Sequence, residues 1–438
     1  MSHAPSSRGL PVPTGRLSRL ARFGGLATGI AGNALAEGAV QLAKGRRPTM
    51  GDLLLTPANA IRVTEQLAQL RGAAMKIGQL MSMDAGDLLP PELSDILARL
   101  RADARPMPPV QLTAALNRRW GRGWEDRFHR FDMTPVAAAS IGQVHRALTR
   151  DGRDLAIKVQ YPGVRRSIDS DVDNVATLLK VSGVLPREID LAPLLAEAKR
   201  QLHEEADYAR EADHLARFGA LLADDPDHVV PGLCAELTRP DVLAMDYVDG
   251  GPVEAMTGAS QAERDRIATV MIRLLLRELF DFGLMQTDPN FANYRVDAAG
   301  RLVLLDFGAT RAIPPALAEG YRALMRAAMN DDRHAAIQAA ETIGFFDHRA
   351  RARDAEGLEA MFDLALAPFR GEGPFDFGDT AVAARLRDRG MTFAQDRAVW
   401  HVPPVDTLFV QRKLGGVYLL ASRLKSRVEV RRLLAPWL

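Results

Sequence analysis

Apolar residues recur at intervals of three and four along residues 57–83, where Val63, Leu67, Leu70, Ala74, Ile77 and Met81 form one stripe. That spacing predicts an amphipathic helix. Gly86 and the Pro90-Pro91 pair end it, and a shorter helix follows over 91–101. Pro106, Pro108 and Pro109 mark a linker, and the next helix covers 110–120. The pattern then changes character. Residues 155–159 (Leu-Ala-Ile-Lys-Val) read as a strand, entered from a hairpin turn at Asp151-Gly152. Helical spacing returns over 164–220, with Leu195, Ala198, Leu202, Ala206, Ala209 and Ala212 sharing a face. Residues 242–248 form a second strand that runs into Asp249-Gly250-Gly251-Pro252. A long apolar helix over 262–282 (Ile267, Met271, Leu274, Leu275, Leu279) leads to a short buried strand at 302–305, reached through a turn at 297–300. After Thr310 the pattern predicts helix to the end, broken at Pro403-Pro404. The last helix, 406–434, sets Leu408, Leu414, Val417, Leu420 and Leu424 beside Arg412, Lys413, Arg423, Lys425 and Arg427.

Length and composition narrow the class. A chain of 438 residues exceeds one simple core. A net charge of +1 argues against a dedicated nucleic-acid binder. The single cysteine, Cys234, excludes an internal disulfide framework and fits a reducing compartment such as the cytoplasm. The first 47 residues are basic, with Arg8, Arg16, Arg19, Arg22, Lys44, Arg46 and Arg47 against Glu37. The segment 23–43 is apolar but rich in glycine and interrupted by Glu37, a poor membrane span. A helix with a basic flank suits an anionic membrane surface better. The chain accordingly divides into a leader (1–56), a helical extension (57–108), a small lobe with a helical insertion (109–248) and a helical lobe (249–438).

The chemistry concentrates in residues 286–310. Asp288 precedes Asn293 by five positions, and Asp306-Phe307-Gly308 follows. This order matches the kinase signature of a catalytic Asp, a metal-binding Asn and a metal-binding Asp-Phe-Gly. Oxygen ligands of this kind suit Mg²⁺, and a further carboxylate orients the attacking hydroxyl or water. Lys158 on its apolar strand occupies the place of the kinase phosphate lysine. The small residues Ala137, Ala138, Ala139, Ser140, Ile141, Gly142 and Gln143 stand where a glycine-rich loop would approach phosphates, although alanine gives a stiffer loop. The acidic helix that follows supplies several carboxylates to hold Lys158 (Glu204, Glu205, Asp207, Glu211 and Asp213), of which Asp207 and Glu211 share a face. Met245, Tyr247 and Val248 fall at the hinge, where backbone groups would meet adenine. Lys76 lies off its helix's apolar stripe, as an ordinary solvated lysine would.

Taken together these residues resemble the UbiB family, the aarF-domain atypical kinases. Lys76-Ile77-Gly78-Gln79 is similar to that family's KxGQ motif, residues 137–143 to its alanine-rich loop, and Glu205-Ala206-Asp207 to its ExD motif. The resemblance implies Glu211 as the partner of Lys158. The resemblance implies an α+β, protein-kinase-like bilobal fold with a helical N-terminal extension packed over the active site. It also implies ATP or ADP binding with Mg²⁺, weak ATPase activity, and support of quinone-synthesis enzymes at a membrane lipid surface. Lys76 and Gln79 with Glu205 and Asp207 would then form a regulatory lid. Residues 287–293 resemble the mitochondrial-type branch. Two alternatives stay open: a nucleotide-gated binding module, and a small-molecule kinase. Between Gly308 and Pro314 there is no room for a long phosphorylatable activation loop.

Overall fold

The computed structural model describes residues 106–182, 192–346, 348–353, 355–379 and 403–438, together with Ala73, Lys76, Ala381, Ala384 and Arg385. The expected leader, the short helix over 91–101 and most of the helix over 57–83, Gln79 included, lie outside the described residues. Ala73 and Lys76 are both helical and buried. Two compact units divide the chain. One takes the described residues up to Ala212 with Leu233–Tyr247, and the other takes Asp213–Gly232 with Val248–Leu438.

The first unit is built on an antiparallel sheet of five strands. Its members are β1 (Phe128–Phe131), β2 (Ala137–Ala138), β3 (Gly142–Thr149), β4 (Asp154–Gln160) and β6 (Val242–Asp246), in the order β1-β3-β4-β6 with β2 paired to β3. The β3–β4 hairpin turns at Asp151-Gly152. Gly152 adopts φ +88°, a left-handed conformation that glycine takes without steric cost. Helix α1 (Pro109–Trp120) starts with proline at its first position and carries Arg118 and Arg119 in its last turn, where cations complement the helix dipole. Its Leu112, Leu116 and Trp120 pack with Leu155, Ile157 and Val159 of β4 in one core. Trp120, Trp124, Phe128 and Phe131 extend that core, their rings 4.8 to 5.9 Å apart and tilted or edge-on. Strand β1 has no counterpart among the expected elements, because four residues reading Phe-His-Arg-Phe are too short to show a period.

Side chains alternate across a strand, so Ala156, Lys158 and Gln160 of β4 face away from that core. They are buried too. Three helices follow the sheet: α2 (Val164–Ser182), α3 (Ala192–Glu205) and α4 (Tyr208–Leu221). The break between α3 and α4 falls at Ala206-Asp207. Gln160 Nε2 donates to the Ala206 carbonyl at 2.7 Å, and the Asp207 carboxylate accepts the Arg210 amide at 3.2 Å as a helix cap. The continuous helical segment expected over 164–220 is therefore three helices, because a side chain of the sheet takes the backbone at the second break.

The second unit opens with β5 (His228–Val229), and its element β7 (Gly251–Pro252) precedes helix α5 (Gln261–Arg277). Ser260 and Glu263 form a reciprocal capping box at the start of α5. The helix widens into a π turn over Glu278–Phe282 and stops at Gly283, φ +55°. Strand β8 (Leu284–Gln286) follows, then β9 (Tyr294–Val296), β10 (Leu302–Leu304) and β11 (Thr310–Ala312). The sheet order is β5-β10-β9-β7, with β8 and β11 as a separate pair. The turn at 297–300 forms through Gly300 N to Asp297 O at 2.9 Å.

Beyond Thr310 the unit is not helical throughout. Strand β11 comes first, then α6 (Pro315–Met329), α7 (Arg333–Thr342) and α8 (Ala355–Ala365), then β12 (Phe375–Asp376). The last long helix is α9 (Val405–Arg423). It ends where Lys425 takes φ +49°, and β13 (Arg427–Val428) pairs with β12 before a final turn of helix over Val430–Leu434. The expected helix over 406–434 is thus interrupted, since the left-handed residue turns the chain into a strand. Leu424 fills the core at that corner.

Candidate active site

In the first unit the strand lysine is held by a buried carboxylate. Lys158 Nζ donates to Glu211 Oε1 at 2.7 Å and to Oε2 at 3.0 Å, with side chains 9% and 2% exposed. Tyr208, Glu211, Ala212 and Leu215 share the buried face of α4 at helical spacing, which carries Glu211 to β4. The Tyr208 ring lies 5.1 Å from the ammonium, a cation–π contact.

The small-residue loop closes tightly. The Ala139 amide donates to the Gly142 carbonyl at 2.9 Å, and a Cβ at Gly142 would stand 2.5 Å from the Val159 carbonyl. Glycine at 142 is therefore required by close approach to β4. Ala137 and Ala138 are exposed on β2, while Ile141 is buried. The Gln143 side chain is wholly buried, accepting the Met107 amide at 2.9 Å and meeting His145 Nε2 at 2.8 Å. Gln143 is thus occupied inside the sheet. At the hinge positions, Met245 is buried in β6, and the Tyr247 amide donates to the Asp154 carbonyl at 2.8 Å. The Tyr247 ring carries the Arg146 guanidinium 4.0 Å from its centroid. Val248 belongs to the second unit.

Lys76 is not the solvated lysine that its place off the stripe predicts. It is 3% exposed and pairs with Glu205 Oε1. Glu205 Oε2 accepts the Ser140 hydroxyl at 3.0 Å. One carboxylate at the end of α3 therefore joins the KxGQ lysine to the small-residue loop. Asp207 is not part of that bridge: it caps α4 and stands 3.9 Å from Arg165.

In the second unit the three polar positions lie on two loops tied together by the β8–β11 pair. Gln286 faces Thr310, and Thr287 donates from both its amide and its hydroxyl to the Ala309 carbonyl at 3.1 and 2.7 Å. Asn293 Nδ2 donates to Asp288 Oδ2 at 3.0 Å. Asp306 Oδ1 accepts the Gly308 amide at 2.9 Å, and Phe307 is buried with its ring 5.0 Å from Phe218. From Gly308 only Ala309, β11, Ile313 and Pro314 intervene before α6, which leaves no long loop.

The donor set fits a hard cation. With its nitrogen committed to Asp288, Asn293 has its side-chain carbonyl oxygen as the acceptor for a metal, and Asp306 adds a carboxylate. Mg²⁺ takes few protein ligands and completes its shell with water and phosphate. Among the described residues no three His, Cys, Asp or Glu side chains group as a metal site.

The final helix contributes groups that the sequence pattern hides. Lys413 Nζ lies 3.0 Å from Glu278 Oε2, off hydrogen-bonding angles, and donates to Tyr294 Oη at 2.9 Å and Gln286 Oε1 at 3.3 Å. The Glu278 carboxyl is raised by burial above the usual carboxylate range. Burial works against the Lys413 ammonium too, but Glu278 and Tyr294 outweigh it and keep the lysine protonated. Arg412 reaches Asp288 Oδ1 at 3.1 Å. The usable signal was Glu278: an acid inside an otherwise apolar helical run needs a buried partner.

A strand lysine bidentate to a helix carboxylate, with an Asp-x4-Asn loop laddered to an Asp-Phe-Gly loop, defines an enzyme of the kinase-like class. The family model for the ABC1 atypical kinase-like domain matches residues 99–340. The chain is 38% identical to the mitochondrial atypical kinase COQ8 of Saccharomyces cerevisiae over 427 residues, 96% of this chain and 84% of that one. It is 39% identical to the mitochondrial atypical kinase COQ8B of Rattus norvegicus over 435 residues, 97% of this chain and 81% of that one. The solved structure of Mycobacterium tuberculosis Rv3197 with erythromycin superposes with a TM-score of 0.61 at 26% identity, covering 85% of this chain and 93% of the other. The chain belongs to the ABC1 atypical kinase family, the UbiB kinases. Among the described residues no helix is long and apolar enough to cross a membrane.

Proposed function

We propose that the protein binds Mg²⁺–ATP or –ADP and acts as an atypical kinase or ATPase at a membrane surface, in support of quinone-lipid synthesis. The buried, bidentate Lys158–Glu211 pair carries this reading, because it spends a desolvated ion pair on presenting one ammonium. Lys158 orients nucleotide phosphates, and Asn293 and Asp306 hold the metal. The metal, when bound, would offset the charge of the phosphates. Asp288 receives the proton of the attacking hydroxyl or water. Residues 137–142 approach the phosphates through their backbone, and the hinge backbone at Met245 to Val248 meets adenine, leaving aside the committed Tyr247 amide. The resemblance of residues 76–79 and 205–207 to the UbiB motifs supports the quinone context, and the basic leader supports a surface of anionic lipid.

One observation favours a second reading, in which nucleotide sets the shape and partners do the chemistry. Glu205 joins Lys76 to Ser140 of the phosphate loop, so a nucleotide that displaces the loop acts on the Lys76 ion pair. ATP turnover, measured with neutral and with anionic vesicles at two salt concentrations, separates the readings. The enzyme reading predicts turnover that Lys158→Met removes and that anionic vesicles raise at low salt, each basic residue near the surface contributing about 1 kcal/mol. Tight nucleotide binding without turnover under any of these conditions would favour the gated module.

A further inference from the structure

The kinase roles leave Arg412 unused, yet it is among the most confined cations of the second unit. Its side chain is 5% exposed and donates to Asp288 Oδ1 at 3.1 Å, while Asn293 occupies Oδ2. The helix that bears it is held against the Asp288 loop at two further points. Lys413 is anchored among Glu278, Tyr294 and Gln286, and a Cβ on Gly416 would stand 2.0 Å from Pro289 Cβ. Only glycine at 416 lets α9 approach the residue that follows Asp288 so closely. The stretch of α9 that carries Arg412 is therefore fixed against the Asp288 loop.

We propose that Arg412 is a positioning residue for Asp288, supplied by the C-terminal helix. This rests on the role of Asp288 argued above. A carboxylate with one donor rotates freely about its Cβ–Cγ bond, whereas one with an oriented donor on each oxygen does not. Asn293 and Arg412 together fix the carboxylate plane and so fix the direction of the lone pair that takes the proton. The guanidinium suits this task because its planar fork aims its N–H groups rigidly, which an ammonium on a flexible stem cannot match. Arg412 acts through Asp288 rather than on the nucleotide, so its loss affects the proton-transfer geometry and leaves nucleotide affinity alone.

The test compares Arg412→Ala, Arg412→Lys, Asp288→Asn and the Ala/Asn double variant in the full chain. ATP turnover, nucleotide affinity and melting temperature are measured for each. Arg412→Ala is expected to lower kcat roughly tenfold to a hundredfold with KM within about twofold, as a small misplacement of a catalytic group does. Arg412→Lys should recover part of the loss, and the double variant should be no slower than Asp288→Asn alone. Wild-type turnover in Asp288→Asn would remove the role of Asp288 and this proposal with it. An inactive Asp288→Asn beside an Arg412→Ala with wild-type kcat would overturn the proposal and leave the role of Asp288 standing. So would an Arg412→Ala whose KM, kcat and melting temperature fall together without rescue by lysine, or one whose kcat rises, which would make Arg412 a brake.

Discussion

At the scale of single residues, the environment of each cation decides its part. Lys158 and Glu211 are both withdrawn from water, and such a pair is sensitive to the loss of one partner. Glu211→Ala would strand the ammonium and is expected to cost about 3–5 kcal/mol, read as a lowered denaturant midpoint. A shift worth under about 1 kcal/mol would mean that water reaches Lys158. Lys76 differs, because Glu205 also serves Ser140. Truncating Lys76 leaves that hydroxyl bond and frees the loop from the extension helix. Lys76→Ala is expected to fold and to change the ATP:ADP preference or expose phosphorylation of the protein by itself. Ala139→Gly, which loosens the same loop by widening its backbone choices, is expected to shift the preference also. Nucleotide titration and a self-phosphorylation assay check both, and wild-type behaviour in both would reduce Lys76 to a packing residue.

At the scale of elements, short polar networks fix the joints between them. His145 on β3 shows how. Its Nδ1 meets the Asp132 carbonyl at 2.7 Å and so carries the proton, and its Nε2 accepts from Gln143, whose Oε1 in turn receives the Met107 amide. The network thereby joins the sheet to the chain just before α1. Burial lowers the His145 pKa beneath its usual 6.5, although Asp132 pulls it upward. The unfolded chain takes up a proton near that value and the folded sheet resists, since Nε2–H would then face the amide hydrogens of Gln143. Stability is accordingly present above about pH 6.5, falls as pH drops below it, and levels off once the folded pKa is passed. Melting temperatures between about pH 7.5 and pH 5 should fall less steeply for His145→Gln than for the wild type. Equal slopes would mean that His145 takes up its proton as readily in the folded sheet as in the unfolded chain.

At the scale of the whole molecule, what could be read from sequence was what repeats or what chemistry dictates. The 137–159 hairpin, α1, α5 and the Asp288-Asn293-Asp306 order were legible, because each carries a period, a turn glycine or a fixed spacing. Three of the features that were not legible show why. The two-residue strands β12 and β13 have no period to show. The break between α3 and α4 depends on Gln160, a residue 46 positions away from the carbonyl that it holds. Arg412 and Lys413 stand in the sequence among the basic residues beside the apolar face of the last helix, and only the fold shows that they are buried against Asp288 and Glu278. In each case the deciding partner is distant in sequence. The central claim is that Asp306 holds the metal of a bound nucleotide, and titration of Asp306→Asn with ATP, with and without Mg²⁺, tests it most directly. The variant loses the charge on one of the few protein ligands of that ion. A folded Asp306→Asn protein is predicted to lose most of its Mg²⁺-dependent ATP binding; Mg²⁺–ATP affinity equal to the wild type would contradict the kinase assignment of the site.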